Sequence, residues 1–473
     1  MSNKNLLVAV LLSTALLISG CEGDDGSAGA AGPAGATGAT GAAGPAGPAG
    51  PNGVPSAVTR DDVVKTNANI AYAAYGDSYL SALDLRDALQ ALVDAPTSDN
   101  LDAAKAAWLA SREPYGQTEV YRFRVGPIDA LLADGTIGQE GDGPEGAINA
   151  WPLGEALIDY VANQVDGDEG PEINDSTNSV AGNIIADQSI TINAAAIRDN
   201  FELGDDERNV TSGYHAIEFL LWGQDLNTDG SGTGTRDSSG GQRPITDYQT
   251  GGSCTSGAGI GQPDVICERR GQYLIAAADL LIEDLNSVVE AWNPNGTDNH
   301  YSDFVQGGDT SLALILEGMG RLGFGELAGE RMNIALLTNS QEDEHSCFSD
   351  NTHRDIFLNA KGIQNSFQGS YTRIDGEIVA GASINDLLIA EGFPASANNL
   401  RAALEDTMIK VSVIDQVAKG GIPFDNQIQI GINEPNVTGA INALSSQTDV
   451  IEDVIADLGV TTGDLRQDTE EPI

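Results

Sequence analysis

A chain of 473 residues is long enough for two or three domains and a sizeable core. Seventy acidic residues against 23 basic give a net charge of −47, which excludes nucleic acid and anionic lipid headgroups as electrostatic partners and attracts cations. Apolar content of 41% is that of a globular protein, while aromatics at 5% and abundant Ala and Gly favour close-packed helices over a β-sandwich.

Residues 1–20 read as a signal peptide. Lys4 precedes an apolar run, Leu6 to Ile18, that is too short to span a bilayer. The run ends in LLISGC, and Ser19 and Gly20 before Cys21 form a lipoprotein-like box. Cleavage there would leave Cys21 as the lipid anchor, placing the protein in the cell envelope, on the periplasmic face or the cell surface. Residues 21–55 form a stalk. Glycine recurs at every third position from Gly23 to Gly53, the period of a collagen helix. The stalk either trimerises or acts as a single-chain spacer, with a reach of ~90 Å at ~3.1 Å per residue.

From Thr59 onward helical periodicity dominates, and the expected class is all-α, two packed helical bundles. The first helix carries Asp61 and Asp62 at its start and stops at Pro96. Further helices are expected at about 99–111, 145–165, 192–201, 209–222, 269–292, 311–337, 353–367, 395–418 and 437–458, with a short strand near 373–379. A Gly/Ser/Thr-rich break within 227–261 divides residues 56–236 from residues 266–473, with 237–265 as linker. Cys254 and Cys267 flank it and read as a local disulfide in an exported protein, with a bridge to Cys347 as the rival.

The apolar stretch SGYHAIEFLLWGQDL carries His215 and Glu218 three apart, on one helix face. A buried carboxylate there needs a partner. Residues 341–355, QEDEHSCFSDNTHRD, hold two of the four histidines, His345 and His353, beside five carboxylates. Glu342 and His345 form ExxH, the mirror of HxxE, and helical bundles use such pairs from facing helices to hold metals. His215, Glu218, Glu342 and His345 are therefore candidate ligands for a divalent metal, iron or zinc, with a satisfied core pair and a capped acidic loop as the alternatives. A polar cluster at 111–129 offers Arg112, Glu113, Tyr115 and Glu119 as pocket lining, with Gly213 and His353, or else a buried salt-bridge network. HExxH is absent. Asp225, Asn227, Asp229 and Gly230 match an EF-hand loop, but Arg236 stands where the bidentate glutamate belongs, which argues against calcium held by that loop.

GYHAIEFLLWGQDL with Gly213-x-His215-x-x-Glu218 resembles the imelysin (M75 peptidase-like) family. REPYGQTEVYRF, GMGRLGFGELAGERM and QEDEHSCFSDNTHRDI resemble motifs of its iron-regulated lipoprotein branch. The resemblance spans about residues 60–460 and excludes the stalk. It implies two helical bundles with the GxHxxE region at their junction, and an envelope protein of iron acquisition that binds a metal ion or an iron-containing ligand. It also carries a metallopeptidase alternative in which Glu218 serves as ligand or general base. A third reading treats both pairs as buried structural networks.

Overall fold

Thr59 starts the folded region by turning its side chain onto Asp62, whose carboxylate returns to the Thr59 backbone in a capping box. The computed structural model describes residues 57–467, except 123–125, 133–136, 140, 152, 162–182, 205–208, 228–234, 257–261 and 342. The signal peptide, Cys21 and the glycine-periodic stalk lie outside the described residues, as does Glu342.

In chain order the helices are α1 (Arg60–Asp94), α2 (Ser98–Tyr115), α3 (Pro127–Ala130), α4 (Glu145–Asn149), α5 (Glu155–Ile158), α6 (Ala194–Asp199), α7 (Gly213–Trp222), α8 (Pro263–Ala291), α9 (His300–Gln306) and α10 (Asp309–Arg321). α10 runs on without a break through a π-helical segment, Leu322–Ile334, into α11 (Ala335–Thr338). α12 (Thr352–Gln368), α13 (Ile384–Ala390), α14 (Pro394–Lys419), α15 (Phe424–Ile428) and α16 (Pro435–Leu458) follow. The β structure is one hairpin, β1 (Ser370–Thr372) and β2 (Ile378–Ala380), antiparallel with Tyr371 opposite Val379. A mostly helical fold is thus observed, as periodicity predicts.

Two stretches depart from the expected helices. Among the described residues of the span 145–165, α4 and α5 are the helices formed; between them Ala150 turns extended and Leu153 pairs with Val210. That pairing also delays α7, which starts at Gly213 rather than at Asn209.

α1 packs lengthwise on α2 and α8, and α14 packs on α16 and α12. The largest apolar core gathers Leu85, Leu89, Trp108, Phe219, Leu281 and Met319 among others. A second core, with Leu327, Met332, Ile356, Val411, Phe424 and Leu444, lies between the π segment, α12, α14, α15 and α16. Cys254 and Cys267 are disulfide-bonded, with Cα atoms 6.1 Å apart, and Cys347 is buried as a thiol. Asp159 beneath them binds Arg243 and Arg270 at 2.8 and 2.6 Å.

All ten residues of α7 are buried. Its anchors are hydrogen bonds to backbone carbonyls: Trp108 Nε1 to Tyr214, Tyr273 to Thr211 and Tyr248 to Leu220. The helix enters through Gly213 at φ +79°, directly over α4, where a Cβ would lie 2.3 Å from the Ile148 carbonyl oxygen. Only glycine fits both the left-handed backbone and that approach. Gly213 therefore seats the α7 entry. Gly213→Ala is expected to destabilise the protein by about 1–3 kcal/mol, read as a lower urea midpoint at unchanged m-value.

Candidate functional site

Arg112 on α2 is 1% exposed, and its charge needs partners. Its Nη2 donates to Asp355 Oδ1 on α12 at 2.9 Å, and its Nη1 donates to Asn149 Oδ1 on α4 at 2.6 Å. Trp108, Tyr115 and Tyr214 surround the guanidinium with ring faces 4.9–5.7 Å away. Tyr115 is thus packing for Arg112.

Asn149 then sets the protonation of His345. With Oδ1 taken by Arg112, the amide Nδ2 faces His345 Nε2 at 3.3 Å and must donate to it. The imidazole proton therefore sits on Nδ1, which donates to Asp355 Oδ2 at 2.9 Å. Ser346 Oγ donates to the same oxygen. Burial, then the Arg331 charge, pushes the His345 pKa down to about 3, so the ring is neutral. Burial would raise Asp355, but Arg112 and then His345 overcome it and hold the carboxyl well below its ordinary range.

His215 reaches the same place from α7. Its ring meets that of His345 edge to face, with centroids 4.6 Å apart, and Trp151 packs on the other side of His345 at 4.3 Å. His215 and His345, 130 positions apart in the chain, are thus brought together. His215 Nδ1 lies 2.9 Å from Glu218 Oε2. Glu218 Oε1 accepts from Ser349 backbone N at 3.0 Å and from Ser349 Oγ at 2.6 Å. Burial pushes Glu218 up to about 8 against those Ser349 bonds. Burial, with His345 next, holds His215 well below its ordinary pKa. His215 Nε2 is buried without a hydrogen-bond partner.

A second tier of charge supports the pair. Glu119 accepts from Arg331 Nη2 at 2.9 Å and from Asn149 Nδ2 at 3.4 Å. Arg331 also binds Glu326 at 2.8 Å and Asn359 at 2.6 Å. Arg122 reaches Glu326 at 3.2 Å and Glu145 at 3.3 Å. Burial would raise Glu326, yet Arg122 and Arg331 bring it down to about 2, while burial pushes Glu145 up to about 7.

The expected residues placed around this region therefore separate into two groups. His215, Glu218, His345, Arg112 and Glu119 converge in the buried centre. Glu113 and His353 do not: Glu113 pairs with Arg354 at 2.7 Å, His353 Nδ1 lies 2.9 Å from the Asp350 carbonyl oxygen, and both line a surface groove of about 350 Å³. Ser349 lines that groove too, so its floor is one hydrogen bond from Glu218. A larger cleft, about 970 Å³, opens near the α7 entry at Ala147 and Ser212 and is walled by Asp142, Asp284, His300 and Asp303, with neither His215 nor His345 in its lining. Sequence reading missed Asn149, Trp151, Ser349 and the roles of Asp355, Glu326 and Arg331. The signal available was the density of charge inside small-residue helical motifs such as GFGELAGERM.

The donor chemistry can be tested against a metal. Neutral imidazoles are the ligating form. His215 Nε2 is an uncommitted nitrogen, and a Glu218 carboxylate accepting from Nδ1–H would leave a lone pair on it. His345 Nε2 becomes available once the 3.3 Å Asn149 contact is released. Glu218, expected as a ligand, has one oxygen against His215 Nδ1 and the other on Ser349. Among the described residues no three His, Cys, Asp or Glu ligand atoms gather around the two imidazoles. The site fits a metal that arrives with ligands of its own better than a bare resident ion.

The sequence profile of the Imelysin family (Peptidase_M75) matches residues 71–451. This chain belongs to the imelysin family. A solved imelysin-like protein from Psychrobacter arcticum 273-4 is similar to it, with a TM-score of 0.55 at 17% identity, covering 86% of this chain and 98% of that one. An iron-regulated protein A precursor from Parabacteroides distasonis gives a TM-score of 0.54 at 16% identity, over 87% of this chain and 98% of that one. These two likenesses establish the imelysin fold. Iron-regulated protein A of Synechococcus elongatus is 38% identical over 80 residues, a match spanning 16% of this chain and 19% of that relative.

Removing the Asp355 charge leaves Arg112 buried and His345 unoriented. Asp355→Asn is expected to cost about 3–5 kcal/mol in urea unfolding, with α12 amides exchanging faster with deuterium. Glu326 gives a pH signature. Its folded pKa of about 2 lies below the ordinary glutamate value of about 4.3. Its contribution is therefore full above that value and lost as pH falls toward 2. The stability gap between wild type and Glu326→Gln, measured by denaturant titration, is expected to be widest above pH ~5 and to close by pH ~2.

Proposed function

We propose that this imelysin is an envelope-anchored binding protein of iron acquisition, receiving a metal carried by a ligand at His215 and His345. The observation that carries the reading is the buried, unpartnered Nε2 of His215, on a ring fixed by Glu218 and set against the His345 ring. Orphaned polar atoms in a dry interior cost free energy and persist where a ligand uses them. The iron-regulated names of the relatives point the same way. The groove lined by Ser349 supplies the approach, since displacing Ser349 uncovers Glu218 and then His215. Arg112, Arg331 and Arg122 give the site positive charge suited to an anionic chelate.

In this reading residues 56–236 supply α2, α4 and α7, residues 266–473 supply the π segment and α12, and the site lies where they meet. Cys21 carries the lipid, and the stalk lifts the folded part off the membrane. Among the described residues no helix is long and apolar enough to cross a membrane.

Binding is favoured over hydrolysis because a hydrolytic zinc centre needs three protein ligands and an open position. The hydrogen bonds of Glu218 to His215 and Ser349 favour a role in orienting the His215 ring. Isothermal titration with Zn²⁺, Mn²⁺ and ferric citrate tests the reading. His215→Ala is expected to weaken binding at least about tenfold, and Glu218→Gln by about 10–100-fold. Equal affinity in wild type and His215→Ala would remove His215 from the site. Chelator-sensitive cleavage of unfolded casein, lost in Glu218→Gln, would turn the assignment to a peptidase.

A further inference from the structure

A second cluster of ligating groups lies beside the histidine pair and plays no part in the reading above. Asp225 follows α7 by three residues, Asp350 precedes α12, and Asp425 belongs to α15. One carboxylate oxygen from each falls within 4.8 Å of the others. Asp225 and Asp425 are 7% and 2% exposed. An acidic cluster alone is no site, since exposed carboxylates gather on any surface this negative. Glu344 is the independent observation: it is 1% exposed, and neither of its oxygens has a hydrogen-bond partner. Burial, then the nearby charges of Asp425 and Asp350, push its carboxyl well above the ordinary range. Asp425 Oδ1 is buried and unpartnered as well. Arg236 is close by, but its guanidinium donates to the backbone carbonyls of Asp425 and Asn339.

Three carboxylates that meet within 4.8 Å, with Asp425 Oδ1 and both oxygens of the neighbouring Glu344 buried without donors, favour a bound cation. We propose that Asp225, Glu344, Asp350 and Asp425 hold a calcium ion. All-oxygen donors select a hard cation over one that prefers nitrogen or sulfur. Carboxylates drawn from three remote segments give the high and irregular coordination that calcium accepts and magnesium does not. The site differs from the EF-hand pattern in 225–236, from which it takes only Asp225. It has a structural consequence. Glu344 and Asp350 bracket the turn that carries His345 and Ser349. A cation joining that turn to the end of α7 and to α15 holds His345 beside His215 from the outside. The inference stands whether or not the histidines bind a metal.

The test uses the full chain after treatment with EDTA and dialysis. Calorimetric titration with CaCl₂ is expected to give one tight site per chain, with Mg²⁺ at least about tenfold weaker. Saturating Ca²⁺ is expected to raise the melting temperature by about 3 °C or more. Asp350→Asn and Glu344→Gln are each expected to weaken Ca²⁺ binding at least about tenfold. In metal-free protein both variants relieve repulsion, so they should melt no lower than wild type. Absence of a tight site, equal Ca²⁺ affinity in the variants, preference for Mg²⁺, or a metal-free melting temperature lowered by the substitutions would each overturn the proposal.

Discussion

The Arg112–Asp355 pair is the constraint on which the centre of the protein depends. Both charges are withdrawn from water, which costs several kcal/mol per ion unless every donor and lone pair is met. Meeting them brings α2, α4, α12 and the turn of residues 339–351 to one point. Once Arg112 has taken Asp355 and the Asn149 oxygen, little freedom remains. The Asn149 amide faces His345, the His345 proton goes to Asp355, and the ring stands against His215.

A centre organised this way is stiff nearly everywhere, which gives its exception meaning. Most polar atoms around the histidines are satisfied, whereas His215 Nε2 is not. The π segment belongs to the same design. Its wider turn lets Glu326 and Arg331, five residues apart, bond to each other while both face Glu119 and Arg122. Such segments recur at functional sites because they turn a side chain inward that an α-helix would present elsewhere.

Charge is divided between surface and interior. The chain carries a net charge of −47. Arginines are concentrated inside, on Asp355, Asp159, Glu119 and Glu326. The Asp225, Asp350 and Asp425 cluster is a place where buried acid is not matched by such an arginine bond, and it adjoins the turn that carries His345.

The helices, their caps and the first apolar faces are local properties, and they were legible. Periodicity at 3.6 gave α1, α8, α12, α14 and α16 to within a few residues, apart from the earlier start of α8. Thr59 with Asp62 marked a true start. The 145–165 span misled because its apolar spacing is helical while Ala150 turns extended and Leu153 pairs with Val210. The scarcity of histidine singled out His215 and His345, whose ring centroids lie 4.6 Å apart. It could not separate them from His353, which lies in a groove, nor place Glu218 against both His215 and Ser349. Those placements depend on which of several nearby donors each oxygen meets. The sequence by itself determined a helical chain and a set of charges too numerous to stay unpaired. The tertiary structure alone decided the pairings, because a buried charge takes the partner that packing of remote helices brings within hydrogen-bond reach, and separation along the chain carries no record of that distance.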